Sequence, residues 1–222
     1  MRRRVCAVAA SSEPIDIETP HGPARAHLHP AADPVAAMVL GHGAGGGVGA
    51  PDLVAATGAA RAAGVSVALV EQPYRVAGRR SPAPARQLDA AWIAVVDHLR
   101  EGPFGGLPIV TGGRSSRARV ACRTVEQTGA AGVLCLAFPL HPPGKPEKTR
   151  QPELRAVRVP MLIVQGARDP FGRPRSAGNR KVVVVPGDHG LKANLGAVST
   201  AVAGWLEEVV SATCGSRRTI SP

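Results

Sequence analysis

Short, mainly apolar runs that stop abruptly in loops of glycine, proline, aspartate or histidine constrain this chain most. They are Val35-Ala-Ala-Met-Val-Leu40, Val65-Ser-Val-Ala-Leu-Val70, Leu107-Pro-Ile-Val-Thr111, Gly132-Val-Leu-Cys-Leu-Ala-Phe138, Pro160-Met-Leu-Ile-Val-Gln165 and Lys181-Val-Val-Val-Val-Pro186. A strand with one wet face alternates apolar and polar residues. Runs without alternation belong in a sheet covered on both faces. Helical patterns fall between them. Pro51-Asp52 opens one that reaches Ala63, with proline favourable in the first turn. From Ala85 to Arg100, residues Leu88, Trp92, Val95 and Leu99 share one face. A third helix is expected over 116–127, and a last one from Leu195 to Ser211 with Val198, Val202, Trp205 and Val209 inward. Strands alternating with helices predict an α/β fold, an open and mostly parallel central sheet with helices on both faces. Such sheets hold their sites at the carboxyl edge of the strands.

At 222 residues the chain suits one domain, expected over 13–212. Residues 1–12 are expected to be a flexible or misassigned leader, and 213–222 a flexible tail. The start, Met1-Arg-Arg-Arg-Val-Cys-Ala-Val-Ala-Ala10, imitates a signal peptide, but its apolar part is shorter than the ~7 residues such a core needs. Ile15–Thr19 and Ala24–His29 read as short strands around Pro-His-Gly-Pro. His27 and His29 share a face without a third ligand nearby, so an edge-strand surface is expected rather than a metal site. Cys6, Cys122, Cys135 and Cys214 have neither metal nor redox spacing. Cys122 and Cys135 lie in apolar elements, so buried thiols and a reducing, cytoplasmic setting are expected. No membrane partner is expected. The net charge of +11 comes mostly from scattered arginine, and aromatics are only 3%, too few for a stacking platform. Nucleic acid is therefore set aside.

The run at 107–111 continues as Thr111-Gly-Gly-Arg-Ser-Ser-Arg117 and then into helix. A strand, a tight glycine turn, one exposed hydroxyl and a helix N-terminus are the parts of a nucleophile elbow. Serine catalysis on such a sheet further needs an acid and then a histidine, each just past a strand. Asp169 follows the 160–165 run and His189 follows the 181–186 run. The expected catalytic set is therefore Ser115, Asp169 and His189. Asp188 is a poorer acid because it directly precedes the histidine. The oxyanion donors are expected from Ser116 at the helix start and from Ala44 or Gly45 in Gly41-His-Gly-Ala-Gly-Gly-Gly-Val-Gly49. His42 is expected to brace that loop. The same glycines formally fit a dinucleotide fingerprint, with Glu71 as its ribose acid, but four more residues intervene before Pro51 starts a helix. A Walker loop is excluded, since no Lys-Ser or Lys-Thr follows.

Several blocks go together: Gly41-His-Gly-Ala-Gly-Gly46, Glu71-Gln-Pro-Tyr-Arg-Val-Ala-Gly-Arg-Arg80, Gly112-Gly-Arg-Ser-Ser116, Leu134-Cys-Leu-Ala-Phe-Pro-Leu-His-Pro-Pro-Gly144, Gln165-Gly-Ala-Arg-Asp-Pro-Phe-Gly172 and Gly187-Asp-His189. Over about 13–210 the chain resembles a small bacterial member of the α/β-hydrolase-like family that includes testis-expressed protein 30 and the third subunit of the NSL acetyltransferase complex. The resemblance implies an α/β-hydrolase fold without a large cap domain, distantly dienelactone-hydrolase-like, with its triad on Ser115, Asp169 and His189. No cofactor is expected. A hydrolase for a small ester or thioester is expected, and the alternative is a weakly active or non-catalytic scaffold on the same fold.

Tyr74, Arg75 and Arg79 are the expected substrate contacts together with His42, favouring an anionic small molecule. The loop from Pro139 to Glu153 is the expected lid. One departure from the family stands out: Arg117 occupies the position where the elbow usually closes with glycine. Its side chain is expected to crowd the turn or to place a cation at the mouth of the site.

Overall fold

The computed structural model describes residues 13–217. Its sheet has eight strands in the order β1-β2-β4-β3-β5-β6-β7-β8. These are β1 (Ile15–Ile17), β2 (Ala24–His29), β3 (Ala36–Gly41), β4 (Val65–Glu71), β5 (Ile109–Arg114), β6 (Gly132–Leu136), β7 (Met161–Gly166) and β8 (Arg180–Val185). From β4 to β8 every neighbouring pair is parallel, while β1 and β2 form an antiparallel hairpin and β2 pairs antiparallel with β4. The register of β1 on β2 runs from Ala24 to Ala26, and His27 and His29 lie beyond it. His27 Nε2 lies 3.7 Å from Glu71 Oε2 on β4.

The helices are α1 (Pro51–Ala62), α2 (Pro73–Val76), α3 (Ala85–Glu101), α4 (Ser116–Thr128), α5 (Gln151–Ala156) and α6 (Leu195–Arg217). The missing polar alternation of the strands has a direct cause. Met38 and Leu40 pack with Leu53, Ala56, Val198, Val202 and Trp205 of α1 and α6. Their neighbours Ala37 and Val39 pack on the other face with Leu88, Trp92, Val95 and Leu99 of α3. Further along that second face, Ala118, Ala121 and Cys122 of α4 meet Val133, Cys135 and Leu154. From β3 to β7 both faces are dry, as continuous apolar runs require. β8 departs from that expectation: as the last strand of the sheet it is only partly covered, and Val184 is exposed.

Elements α2 and α5 did not stand out in the sequence, since each is short and begins with proline at its first or second position. The expected lid segment consequently ends in α5, whose Leu154 is buried. Helix α6 runs past Ser211 to Arg217. The leader at 1–12 and the end of the tail at 218–222 lie outside the described residues. Cys122 and Cys135 are buried free thiols, 3.7 Å apart at sulfur, and burial pushes the Cys135 thiol up.

The elbow strand leaves no room for a side chain at Gly113. A Cβ on Gly113 would meet the Gly41 carbonyl oxygen at 2.4 Å and Arg117 Cβ at 2.7 Å. The first contact is backbone in the β3–β5 ladder and cannot yield cheaply. Gly113→Ala is expected to destabilise the fold by about 3 kcal/mol or more. Thermal melting should show this as a fall of roughly 6–12 °C.

Candidate active site

Strand β5 ends at Arg114, and Ser115 follows with φ 54° and ψ −111°. A serine held in that sparsely populated region is strained, and such strain gathers at functional sites. The Ser115 N–H donates to Leu136 O at the end of β6, 2.9 Å away, which fixes the turn to the sheet. α4 begins at the next residue, so the Ser116 N–H is one of the amides its own helix cannot pair.

Two neighbouring strand ends bring the remaining groups in. Asp169 follows β7 and is buried, while His189 follows β8 and is partly exposed. Gly166 lets the loop carrying His189 pass over the end of β7, because a Cβ there would meet Asp188 O at 2.2 Å. As a result His189 Nδ1 lies 2.8 Å from Asp169 Oδ2, and His189 Nε2 lies 2.9 Å from Ser115 Oγ. The carboxylate has its own supports: Phe171 N–H donates to Oδ1 at 2.9 Å, and Gln165 Nε2 donates to Oδ2 at 2.7 Å. The Phe171 ring rests against the imidazole with centroids 4.3 Å apart. Asp188 points elsewhere and accepts from Gly190 N–H at 2.8 Å.

The glycine-rich loop turns sharply after β3. Gly46 N–H donates to Gly43 O at 3.1 Å, which leaves the Ala44 and Gly45 amides at the centre of the turn and outside that bond. His42 is fully buried, and its ring Nδ1 lies 2.8 Å from the Gly43 carbonyl, so it braces the loop. Burial pushes its pKa down, with a smaller opposing contribution from the Gly43 hydrogen bond.

Arg114 and Asp52 were not singled out from the sequence, yet they tie this site together. Arg114 Nη2 donates to the His189 carbonyl at 2.9 Å, and its Nε lies 2.9 Å from Oδ2 of the buried Asp52. That second contact is an ion pair without hydrogen-bond alignment. Burial pushes the Asp52 carboxyl up, and the adjacent guanidinium pulls it back down. The only hint was Arg114's place immediately before the serine.

Removing Arg114 strands a buried carboxylate, so Arg114→Met is expected to lose about 3–5 kcal/mol. Adding Asp52→Asn should restore most of that stability. Turnover should still stay about 10–100-fold low, because the histidine loop has lost its anchor. Urea titration and initial rates on the single and double variants check both parts.

One concavity reaches the elbow through Arg114, and another lies between α2 and α3. The first, of about 600 Å³, is lined by Gly45, Gly46, Asp52, Arg114, Gly190 and Lys192. The other, of about 100 Å³, is lined by Gln72, Tyr74, Arg79, Gln87 and Leu88 among others. Tyr74 is buried, Arg75 half-buried and Arg79 exposed. Among the described residues no cluster of histidine, cysteine, aspartate or glutamate has the makings of a metal site. Arg117 does not stand at the mouth. It is fully buried, and at Gly41 and Gly113 the missing Cβ atoms leave the space that its side chain fills.

The profile of a family described as alpha/beta hydrolase domain matches residues 34–212. The fold is similar to that of a serine hydrolase without lid from Xanthomonas campestris, with 16% identity, a TM-score of 0.71, and 88% of this chain and 93% of that one covered. It is also similar to Est1E from Butyrivibrio proteoclasticus, with 18% identity, a TM-score of 0.72 and coverage of 90% and 100%. A dienelactone hydrolase from Anabaena variabilis matches at 15% identity with a TM-score of 0.68, covering 88% and 96%.

Proposed function

The chain belongs to the α/β-hydrolase family, and from that premise we propose that it is a serine hydrolase cleaving small esters or thioesters. One observation carries the reading: a single imidazole bridges a strained serine hydroxyl at 2.9 Å and a buried carboxylate at 2.8 Å. In this mechanism Ser115 Oγ attacks the carbonyl carbon while His189 Nε2 takes its proton. Asp169 keeps the proton of the neutral ring on Nδ1 and stabilises the imidazolium. The amides of Ser116 and of Ala44 or Gly45 receive the developing oxyanion. His189 then protonates the departing alcohol or thiol, and water repeats the sequence on the acyl-serine.

The substrate is a small anionic molecule met by Tyr74, Arg75 and Arg79, with His42 supporting the loop opposite. In favour of this, Tyr74 and Arg79 line a cavity between α2 and α3, and Arg114 and Lys192 line the one that reaches the elbow. Within the family, the Glu71–Arg80 and Leu134–Gly144 blocks favour the group that includes testis-expressed protein 30 and the third NSL subunit. A cytoplasmic location agrees with the buried free thiols of Cys122 and Cys135. Among the described residues no helix is long and apolar enough to cross a membrane.

A fluorophosphonate probe tests the reading. The wild type should be labelled and Ser115→Ala should not. A folded wild type that stays unlabelled, and that turns over no member of a panel of short p-nitrophenyl esters and thioesters, would leave the scaffold alternative in possession.

A further inference from the structure

Arg117 lies wholly inside the protein, yet its Nε, Nη1 and Nη2 atoms have no hydrogen-bond partner. A buried cation without a counter-charge is among the least favourable arrangements a core can hold. The ring of Tyr74, 5.5 Å from the guanidinium carbon, offsets a small part of that cost. Asp89, the acid nearest in this part of α3, is already held bidentately by Arg123 at 2.5 and 2.9 Å.

The surroundings hold further unmet polar atoms. Tyr74 and Gln72 are each more than nine-tenths buried, and neither the Tyr74 hydroxyl nor either amide atom of Gln72 has a partner. Both side chains line the cavity of about 100 Å³ between α2 and α3. That volume exceeds what one water occupies. Arg117 also sits in the first turn of α4, a helix of 13 residues, where the dipole favours negative charge.

The geometry points to a buried site for a small monoanion, a halide or a carboxylate, held by the Arg117 guanidinium, the Tyr74 hydroxyl and the Gln72 amide. The ion comes either free from solution or as the carboxylate of a bound substrate. The second source rests on the hydrolase reading; the first does not.

The first experiment uses stability alone. Thermal melting is followed at constant ionic strength while sodium gluconate is replaced stepwise by chloride or by acetate. The wild type should gain stability as the logarithm of anion concentration above the dissociation constant, by about 3–6 °C at ten times that constant. Arg117→Leu should lose this response and melt in gluconate at or above the wild type. Tyr74→Phe should shift the onset of the rise about tenfold higher in anion concentration. A flat wild-type response, or an equal response in Arg117→Leu, overturns the site. If Arg117→Leu fails to fold, an unchanged onset in Tyr74→Phe overturns it.

Kinetics then separates the sources. If chloride raises KM for the p-nitrophenyl half-ester of succinate but not for p-nitrophenyl butyrate, the substrate carboxylate occupies the site. If the melting response holds and neither KM moves, the site takes a free ion. Absence of any turnover counts against the hydrolase reading and leaves the melting result standing.

Discussion

Ser115→Ala is expected to lower kcat by about 10⁴–10⁶-fold while the melting temperature holds. The two halves of that result have separate physical causes. The hydroxyl's hydrogen bond is to His189 Nε2, and Ser115 is not part of the buried core, so its loss removes little that supports the fold. It removes the nucleophile entirely, leaving only the oxyanion donors and substrate binding to act on water. The backbone at Ser115, with φ 54°, is imposed by β5 and by the N–H bond to Leu136 O rather than by the hydroxyl. Alanine keeps that strain. Ser115→Gly relieves it, and should be as inactive as the alanine variant but more stable by about 1 kcal/mol. Initial rates on a short p-nitrophenyl ester, beside thermal melts of all three proteins, test the pair. A loss of less than tenfold would place the nucleophile elsewhere.

The architecture could be read from the sequence because its signals are local. A run such as Val35–Leu40 carries its own statement that both faces are covered, and the boundaries of α3 follow from the spacing of Leu88, Trp92, Val95 and Leu99. Ser115, Asp169 and His189 were legible as a set for a related reason: each stands just past such a run, and parallel strands deliver those positions to one edge. What failed to show were relations between residues distant in sequence. Asp52 looked like an ordinary acid at a helix start, and nothing local marked it as the partner of Arg114. Gln165 ended an apolar run and gave no sign that its amide would reach Asp169.

Arg117 shows the limit most clearly. A charged residue in an elbow was expected to crowd the turn or face the mouth. The crowding is avoided because Gly41 and Gly113 lack the Cβ atoms that would fill the same space, and the side chain passes inward to Tyr74. Which glycine makes room for which side chain is a property of the assembled β3–β5–α4 junction. No one-residue propensity contains it.

Asp169→Asn is expected to cost about 10³–10⁴-fold in kcat with KM nearly unchanged, an effect larger than its single-atom change suggests. Both carboxylate oxygens of Asp169 are accepting: Oδ1 from Phe171 N–H, and Oδ2 from Gln165 Nε2 and from the His189 ring nitrogen Nδ1 when that nitrogen carries its proton. An asparagine must place its NH₂ group on one side or the other. Facing Phe171, it sets donor against donor at a backbone amide that cannot rotate away. Facing Gln165 and His189, it favours the tautomer whose proton sits on Nε2, which can no longer accept from Ser115 Oγ. Either placement removes a supporting hydrogen bond, and the second also disables the base. Gln165→Leu provides the graded control, since it withdraws one donor and leaves the charge, and should cost only about tenfold. Steady-state kinetics on both variants, with fluorophosphonate labelling rates as a second readout, measures the difference. If Asp169→Asn keeps more than a tenth of wild-type turnover, the imidazole is being oriented by something other than this carboxylate.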